Sequence, residues 1–188
     1  MTKILAFAGS SRKQSINKKL VKIAATAAEN AGAIVTVIDL ADYPMPLFNQ
    51  DLEAEQGMPE KAREFKQLLI EHDGFLIASP EYNSAFSPLL KNVIDWASRA
   101  ESKDEPPLQA YKGKFVSIMA ASPGALGGLR GLVFLRMLLG NIGVIVLPEQ
   151  QAIAQAFKAF SNDGGLIDNA QHQAVERLGV NLVKSINK

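Results

Sequence analysis

Short apolar runs alternate with segments of helical spacing along this chain, and the alternation predicts its elements. Lys3–Ala8 is a run of bulky apolar residues, the pattern of a buried strand. Leu20, Ile23, Ala24, Ala27 and Ala31 then recur at helical spacing until Gly32 closes the segment. Ala33–Leu40 alternates and is β-branched, which predicts a second strand. Pro44 and Pro46 hold Tyr43–Phe48 extended, although its large apolar side chains need cover. A helix is predicted from Pro59, suited to a first turn, to His72, with Phe65, Leu68, Leu69 and His72 on one face. Gly74–Ser79 reads as a third strand. Pro88 to Arg99 reads as a helix with Leu89, Leu90, Val93, Ile94 and Ala97 on its apolar side. Glu101–Tyr111 is polar, carries Pro106-Pro107 and reads as an exposed excursion. Lys114–Ala121 is the fourth strand, Gly128–Leu139 a helix and Val144–Leu147 the fifth strand. A last helix from Asp168 buries Val175, Leu178, Leu182 and Ile186.

Strands alternating with helices imply a parallel sheet covered on both faces. The expected fold is a three-layer, doubly wound α/β domain spanning residues 1–188. Its five-stranded parallel sheet takes the order 2-1-3-4-5, the flavodoxin-like arrangement. No repeat, low-complexity stretch or linker divides the chain.

Composition removes several chemistries. The net charge of +1 gives no electrostatic reason to expect nucleic acid or a membrane surface as partner. The chain has no cysteine, so disulfides, thiolate catalysis and cysteine-held metals are excluded. With only His72 and His172, a histidine metal site is not expected either. His72 is read as structural and His172 as exposed. The apolar region from Gly131 to Pro148 is interrupted by Arg136 and by Gly140–Gly143, so it does not read as a membrane span. The opening Met1-Thr2-Lys3 does not resemble a signal peptide. A cytoplasmic protein is expected.

In a doubly wound sheet ligands gather at the carboxyl ends of the strands. Three loops leave those ends with unusual composition: Gly9–Asn17, Pro80–Ser84 and Ser122–Gly128. In the first, hydroxyls, an amide and Arg12 precede a helix start, where unpaired N–H groups favour an anion. Ser15 or Asn17 as a helix cap explains one of these residues but not the series. Neither the dinucleotide pattern Gly-x-Gly-x-x-Gly nor the P-loop Gly-Lys-Ser/Thr occurs there, so side chains must do what glycine backbone does in those folds. A terminal monophosphate suits that arrangement. In the second loop, Tyr82 is either a hydrophobic plug in a turn or part of a wall meeting a planar ring. The third loop is glycine-rich, which allows backbone to approach a flat ligand closely.

Gly-Ser-x-Arg-x-x-Ser-x-Asn, then Pro-Glu-Tyr-Asn, then Ser-Pro-Gly-x-x-Gly-Gly resembles the NADPH-dependent FMN reductase family. The similarity is strongest to its chromate and quinone reductase or azoreductase branch. Each motif alone is common; their order from Ile4 to about Glu149 is not. The resemblance implies that Ser10, Arg12, Ser15 and Asn17 hold the FMN phosphate and that Ile16 also binds the cofactor, while Arg12 could instead meet the nicotinamide cofactor. Pro80, Glu81, Tyr82 and Asn83 would line the isoalloxazine ring, with Ser122 and Gly124 closing its other edge. It also implies a homodimer or homotetramer with the Pro88–Arg99 helix, and Trp96, at the interface.

The implied activity is a ping-pong cycle. NADPH or NADH reduces bound FMN and leaves, then a quinone, azo compound, chromate or free flavin takes its place. The flavin carries the chemistry, so no general acid or base is nominated and no metal is expected. Lys13, Arg99 and Arg130 are candidates for the extra phosphate of NADPH, although Arg130 could equally pair with Glu149 of a second subunit. The alternative is a flavodoxin-type FMN electron carrier without nicotinamide turnover. A flavin-free dehydrogenase lacks its glycine fingerprint here, and Asp39 is read as a strand-end residue facing solvent. A response-regulator-like domain would need acidic residues after the first strand.

Overall fold

A computed structural model describes residues 1–188. Its elements run β1 (Lys3–Ala8), α1 (Ile16–Asn30), β2 (Ile34–Val37), α2 (Gln50–Gln56), α3 (Glu60–Glu71), β3 (Gly74–Ala78), β4 (Glu81–Tyr82), β5 (Ala85–Phe86) and α4 (Pro88–Ala97). They continue through β6 (Phe115–Ala121), α5 (Leu129–Asn141), β7 (Ile145–Ile153), α6 (Ala156–Ala159) and α7 (Asn169–Ile186). The main sheet is parallel throughout in the order β2-β1-β3-β6-β7, the expected doubly wound arrangement.

Alternation along the central strands distributes side chains between two helical layers. Leu5, Phe7, Phe75, Ile77, Val116 and Ile118 pack with Phe65, Val93 and Leu135 from α3, α4 and α5. Ile4, Ala6, Leu76, Ala78 and Met119 face Leu20, Ala24, Val175 and Leu182 from α1 and α7. Gly179 sits where α7 crosses α1, and a Cβ there would overlap the carbonyl oxygen of Ala24. The small residue lets the two helices come together.

Departures from the sequence reading have local causes. Asn49 accepts from the N–H groups of Asp51 and Leu52, opening the unexpected helix α2, which Gly57 closes at φ 74°. β7 runs on to Ile153, beyond the predicted end at Leu147. A bulge opposite Ser117 absorbs Pro148, and pairing resumes at Gln150 with Ile118. The expected excursion from Glu101 ends early, because Ala110 and Tyr111 are core residues. Burial raises the Tyr111 phenol well above its ordinary pKa, and its hydroxyl donates to the Ile94 carbonyl.

Another departure concerns Trp96. It is fully buried within its own subunit, donates to the Pro46 carbonyl at 2.8 Å and meets the edge of Phe48. Trp96 therefore supplies the cover that Tyr43–Phe48 needed and offers no surface to a second subunit. The expectation that Trp96 itself lies at an interface is corrected, because the apolar side of the Pro88–Arg99 helix packs on the subunit's own core.

His72 is structural, as expected. Its Nδ1 faces the Leu68 carbonyl at 2.6 Å and its Nε2 the Thr36 hydroxyl at 2.8 Å. His172 is half-buried rather than exposed, and its Nδ1 accepts from Leu166 N–H. Asp39 is not simply solvent-facing. It accepts from Ala41 N–H, opening the short 3-10 turn Leu40–Asp42, and pairs with Lys18 at 2.5 Å.

Candidate functional site

The loops after β1, β3 and β6 meet in one cavity of about 200 Å³ at the carboxyl edge of the sheet. Ser10, Arg12, Ser15, Ile16, Asn17, Pro80, Glu81, Tyr82 and Ser122 line it, joined by Ala121, Pro123 and Phe157. Asn83 and Gly124 are not among its walls.

Ser15 stands at the N-cap position of α1, yet its side chain makes no capping hydrogen bond. The main-chain N–H groups of Ile16 and Asn17 find no main-chain acceptor. No acidic residue occupies the first turn, so the positive end of the helix is uncompensated. Ser10 is buried and its Oγ accepts from Arg12 N–H, which folds the loop back toward the helix start. Arg12 itself is exposed and enters no ion pair within the chain. Donors of this kind, lining one cavity, are a set that could hold an anion.

Asn17 has a second task. Its Nδ2 donates to the Ala121 carbonyl at 3.0 Å, and Ala121 N–H donates to its Oδ1 at 2.9 Å. One amide hydrogen and its main-chain N–H are left for a ligand. Ser87 makes another tie. It caps α4 by accepting from Leu90 N–H and donates to the Gly9 carbonyl at 2.6 Å.

The second loop is a tight hairpin, β4–β5, in which Glu81 pairs with Phe86 and Tyr82 with Ala85. Its two turn residues, Asn83 and Ser84, both have positive φ, 52° and 68°, as a type I′ turn requires. The turn carries Asn83 away from the cavity, to a groove it shares with Phe86, Phe134 and Met137. Tyr82 remains at the cavity and is 56% exposed, so it is not a plug. The Glu81 carboxylate turns to α5, where Gly131 N–H donates to it at 2.8 Å. Gly128, at φ 95°, packs so closely that a Cβ would lie 2.6 Å from that of Ala120.

Phe157 was missed by sequence reasoning. It is 70% exposed on α6, just past β7. The rule that ligands gather beyond strand ends would have found it had the fifth strand not been ended at Leu147. Of the candidates for an extra phosphate, Arg99 pairs with Glu53 at 2.8 Å and lies over the Phe48 ring. Arg130 lies 3.7 Å from Glu81, while Glu149 accepts from Asn181 of the same chain. Lys13 lines a neighbouring lysine-rich depression with Lys18, Lys19 and Lys22.

The chain is 34% identical over 179 residues to an NAD(P)H-dependent FMN reductase of Pseudomonas aeruginosa, covering 93% of this chain and 90% of that protein. It is 32% identical over 171 residues to a probable NADPH:quinone oxidoreductase of Oryza sativa subsp. japonica, covering 88% and 79%. Among solved structures, the flavoenzyme NAD(P)H:(acceptor) oxidoreductase FerB of Paracoccus denitrificans superposes with a TM-score of 0.81 at 28% identity. That alignment covers 100% of this chain and 98% of FerB. The sequence pattern of one family spans residues 2–158, through all three cavity loops, and by it the chain belongs to the NADPH-dependent FMN reductases.

Proposed function

We infer that the protein binds FMN in the cavity and uses it to pass electrons from NADPH or NADH to a quinone or flavin acceptor. The observation that carries this reading is the convergence of the uncapped α1 start with the Ser10 and Ser15 hydroxyls and the unpaired Arg12 guanidinium. Such a set satisfies a terminal phosphate from several sides and has no equivalent task in an apolar core.

The residues divide the work by depth. Ser10, Arg12, Ser15, Ile16 and Asn17 hold the phosphate, Arg12 at the outer side and the helix N–H groups beneath. A cavity of about 200 Å³ is too small for a whole flavin mononucleotide, so the ring lies across its mouth. There the main chain of Pro80–Tyr82 and of Ser122–Pro123 borders it. The exposed side chains of Tyr82 and Phe157 offer aromatic surface to a flat acceptor. Bound FMN supplies hydride acceptance and one- or two-electron delivery. The protein has only to hold the cofactor, orient it and leave one face open. No side chain at the cavity is assigned proton transfer.

For assembly, an exposed apolar face on α5 adds to the expected Pro88–Arg99 helix, whose Lys91 lines the same groove. Leu129, Val133, Phe134 and Met137 are exposed along α5, beside a groove of about 720 Å³ whose other wall is the cavity-forming hairpin. A second copy seated there makes a homodimer or homotetramer with the site near the interface. Phe134→Asp, placing a charge in that face, then yields monomers by sedimentation. A cytoplasmic location suits an enzyme that draws on the nicotinamide pool.

Steady-state oxidation of NADPH by the FMN-loaded protein in the presence of a benzoquinone tests the function. Turnover proportional to enzyme is expected. FMN binding without turnover would instead make the protein an electron carrier.

A further inference from the structure

We propose that Glu81 is a positioning residue that locks the β4–β5 hairpin onto the start of α5 and so fixes the wall of the cavity against the flavin. The proposal rests on the FMN reading above.

A hairpin of two paired residues per strand has little stability of its own. This one also holds Asn83 and Ser84 at positive φ, which costs energy for residues with side chains. Something outside the hairpin must hold it, and the contacts run to α5. Gly131 has no Cβ, and one built there would stand 3.3 Å from the Ala85 carbonyl oxygen and 3.4 Å from Glu81 Cβ. The hairpin therefore rests directly on the helix backbone.

The helix in turn needs the hairpin. α5 begins after Gly128, which has no side chain to cap the first turn. The acceptor comes instead from a residue 50 positions earlier, as Glu81 Oε2 takes the Gly131 N–H at 2.8 Å. A carboxylate at that position meets both an unpaired donor and the positive end of the helix. The Glu81 side chain is only 11% exposed, and its one charged neighbour, Arg130 Nε, stands 3.7 Å from Oε1. Arg130 is 60% exposed, so solvent screens that pair and the bond to Gly131 is the main anchor. One side chain thus joins the second cavity loop to the helix that follows the third.

Glu81→Ala and Glu81→Gln separate this role from a general loss of stability. Amide hydrogen exchange on the full chain, with and without FMN, reads the tie itself; FMN fluorescence titration reads its consequence. In Glu81→Ala, exchange at Gly131 and along the hairpin is expected to quicken on the order of ten- to a hundredfold, with β1 and α7 unchanged. FMN should bind weaker by a similar factor. Glu81→Gln keeps an acceptor for Gly131 N–H and should restore both towards wild type. Leu69→Ala, a core change away from the cavity, should lower the melting temperature without moving FMN affinity. Wild-type exchange and affinity in Glu81→Ala would overturn the proposal, as would equal loss in the Ala and Gln variants. If wild type binds no FMN, the cofactor reading fails, and exchange at Gly131 still decides the tie.

Discussion

Asn17 grips Ala121 from both sides, donating to its carbonyl at 3.0 Å and accepting from its N–H at 2.9 Å. The pair is buried and joins the start of α1 to the end of β6, so the turn proposed to hold the phosphate is bolted to the central sheet. Asn17→Ala leaves both main-chain groups without their partner. That costs about 1–3 kcal/mol for each unsatisfied group, a loss measurable by urea denaturation. Asn17→Asp turns a carboxylate toward the Ala121 carbonyl and toward the phosphate site. It should weaken FMN binding more than Asn17→Ala does, as read by flavin fluorescence.

Gly179 sets how closely α7 packs on the middle of the same helix, at Ala24 and Ala28. A Cβ there overlaps the Ala24 carbonyl oxygen, so Gly179→Ala must push α7 away from the helix that carries the site. Overpacking of this kind costs about 1–3 kcal/mol. Thermal denaturation should show the loss. FMN affinity should fall with it, because α1 moves.

The ion pairs under α4 predict an acid limit. Lys66 is buried, and its ammonium pairs with Glu105 at 2.5 Å and donates to the Arg99 carbonyl. Burial pushes the Glu105 carboxyl up, but the Glu101 N–H and the Lys66 ammonium outweigh it and hold it below its ordinary range. A carboxyl depressed in the folded state adds stability above its unfolded pKa and loses it as pH falls through the folded value. Lys66→Met should therefore be less stable than wild type at pH 6, with the gap closing as pH falls below about 4. Melting temperatures across that interval read it.

Much of the fold was legible because its signals are periodic. The central strands are apolar on both sides, and α1, α3 and α7 carry regular buried stripes, so sheet order and layers followed. What escaped depends on single residues. Asn49 and Gly57 delimit α2 without any apolar stripe, since none of its residues is buried. Pro148 ordinarily ends a strand, and only the bulge opposite Ser117 lets β7 continue and carry Phe157 to the cavity.

The site divides in the same way. The loops were visible as clusters of residue types. The direction of each side chain was not: the Glu81 carboxylate, although Glu81 lines the cavity, is engaged by α5, and Asn83 turns outward. Trp96 shows the limit most plainly, since an apolar residue on a helix says that it is buried, not by which chain.

The central claim is that Ser10, Arg12, Ser15 and the first turn of α1 hold the phosphate of FMN. Titrating wild type and Arg12→Ala with FMN and with riboflavin, which lacks the phosphate, measures this directly. FMN should bind wild type far more tightly than riboflavin does. Arg12→Ala should lose roughly 1.5–3 kcal/mol of FMN affinity, on the order of ten- to a hundredfold, while riboflavin is unaffected. Equal affinity of wild type for the two flavins, or FMN binding untouched by Arg12→Ala, would contradict it.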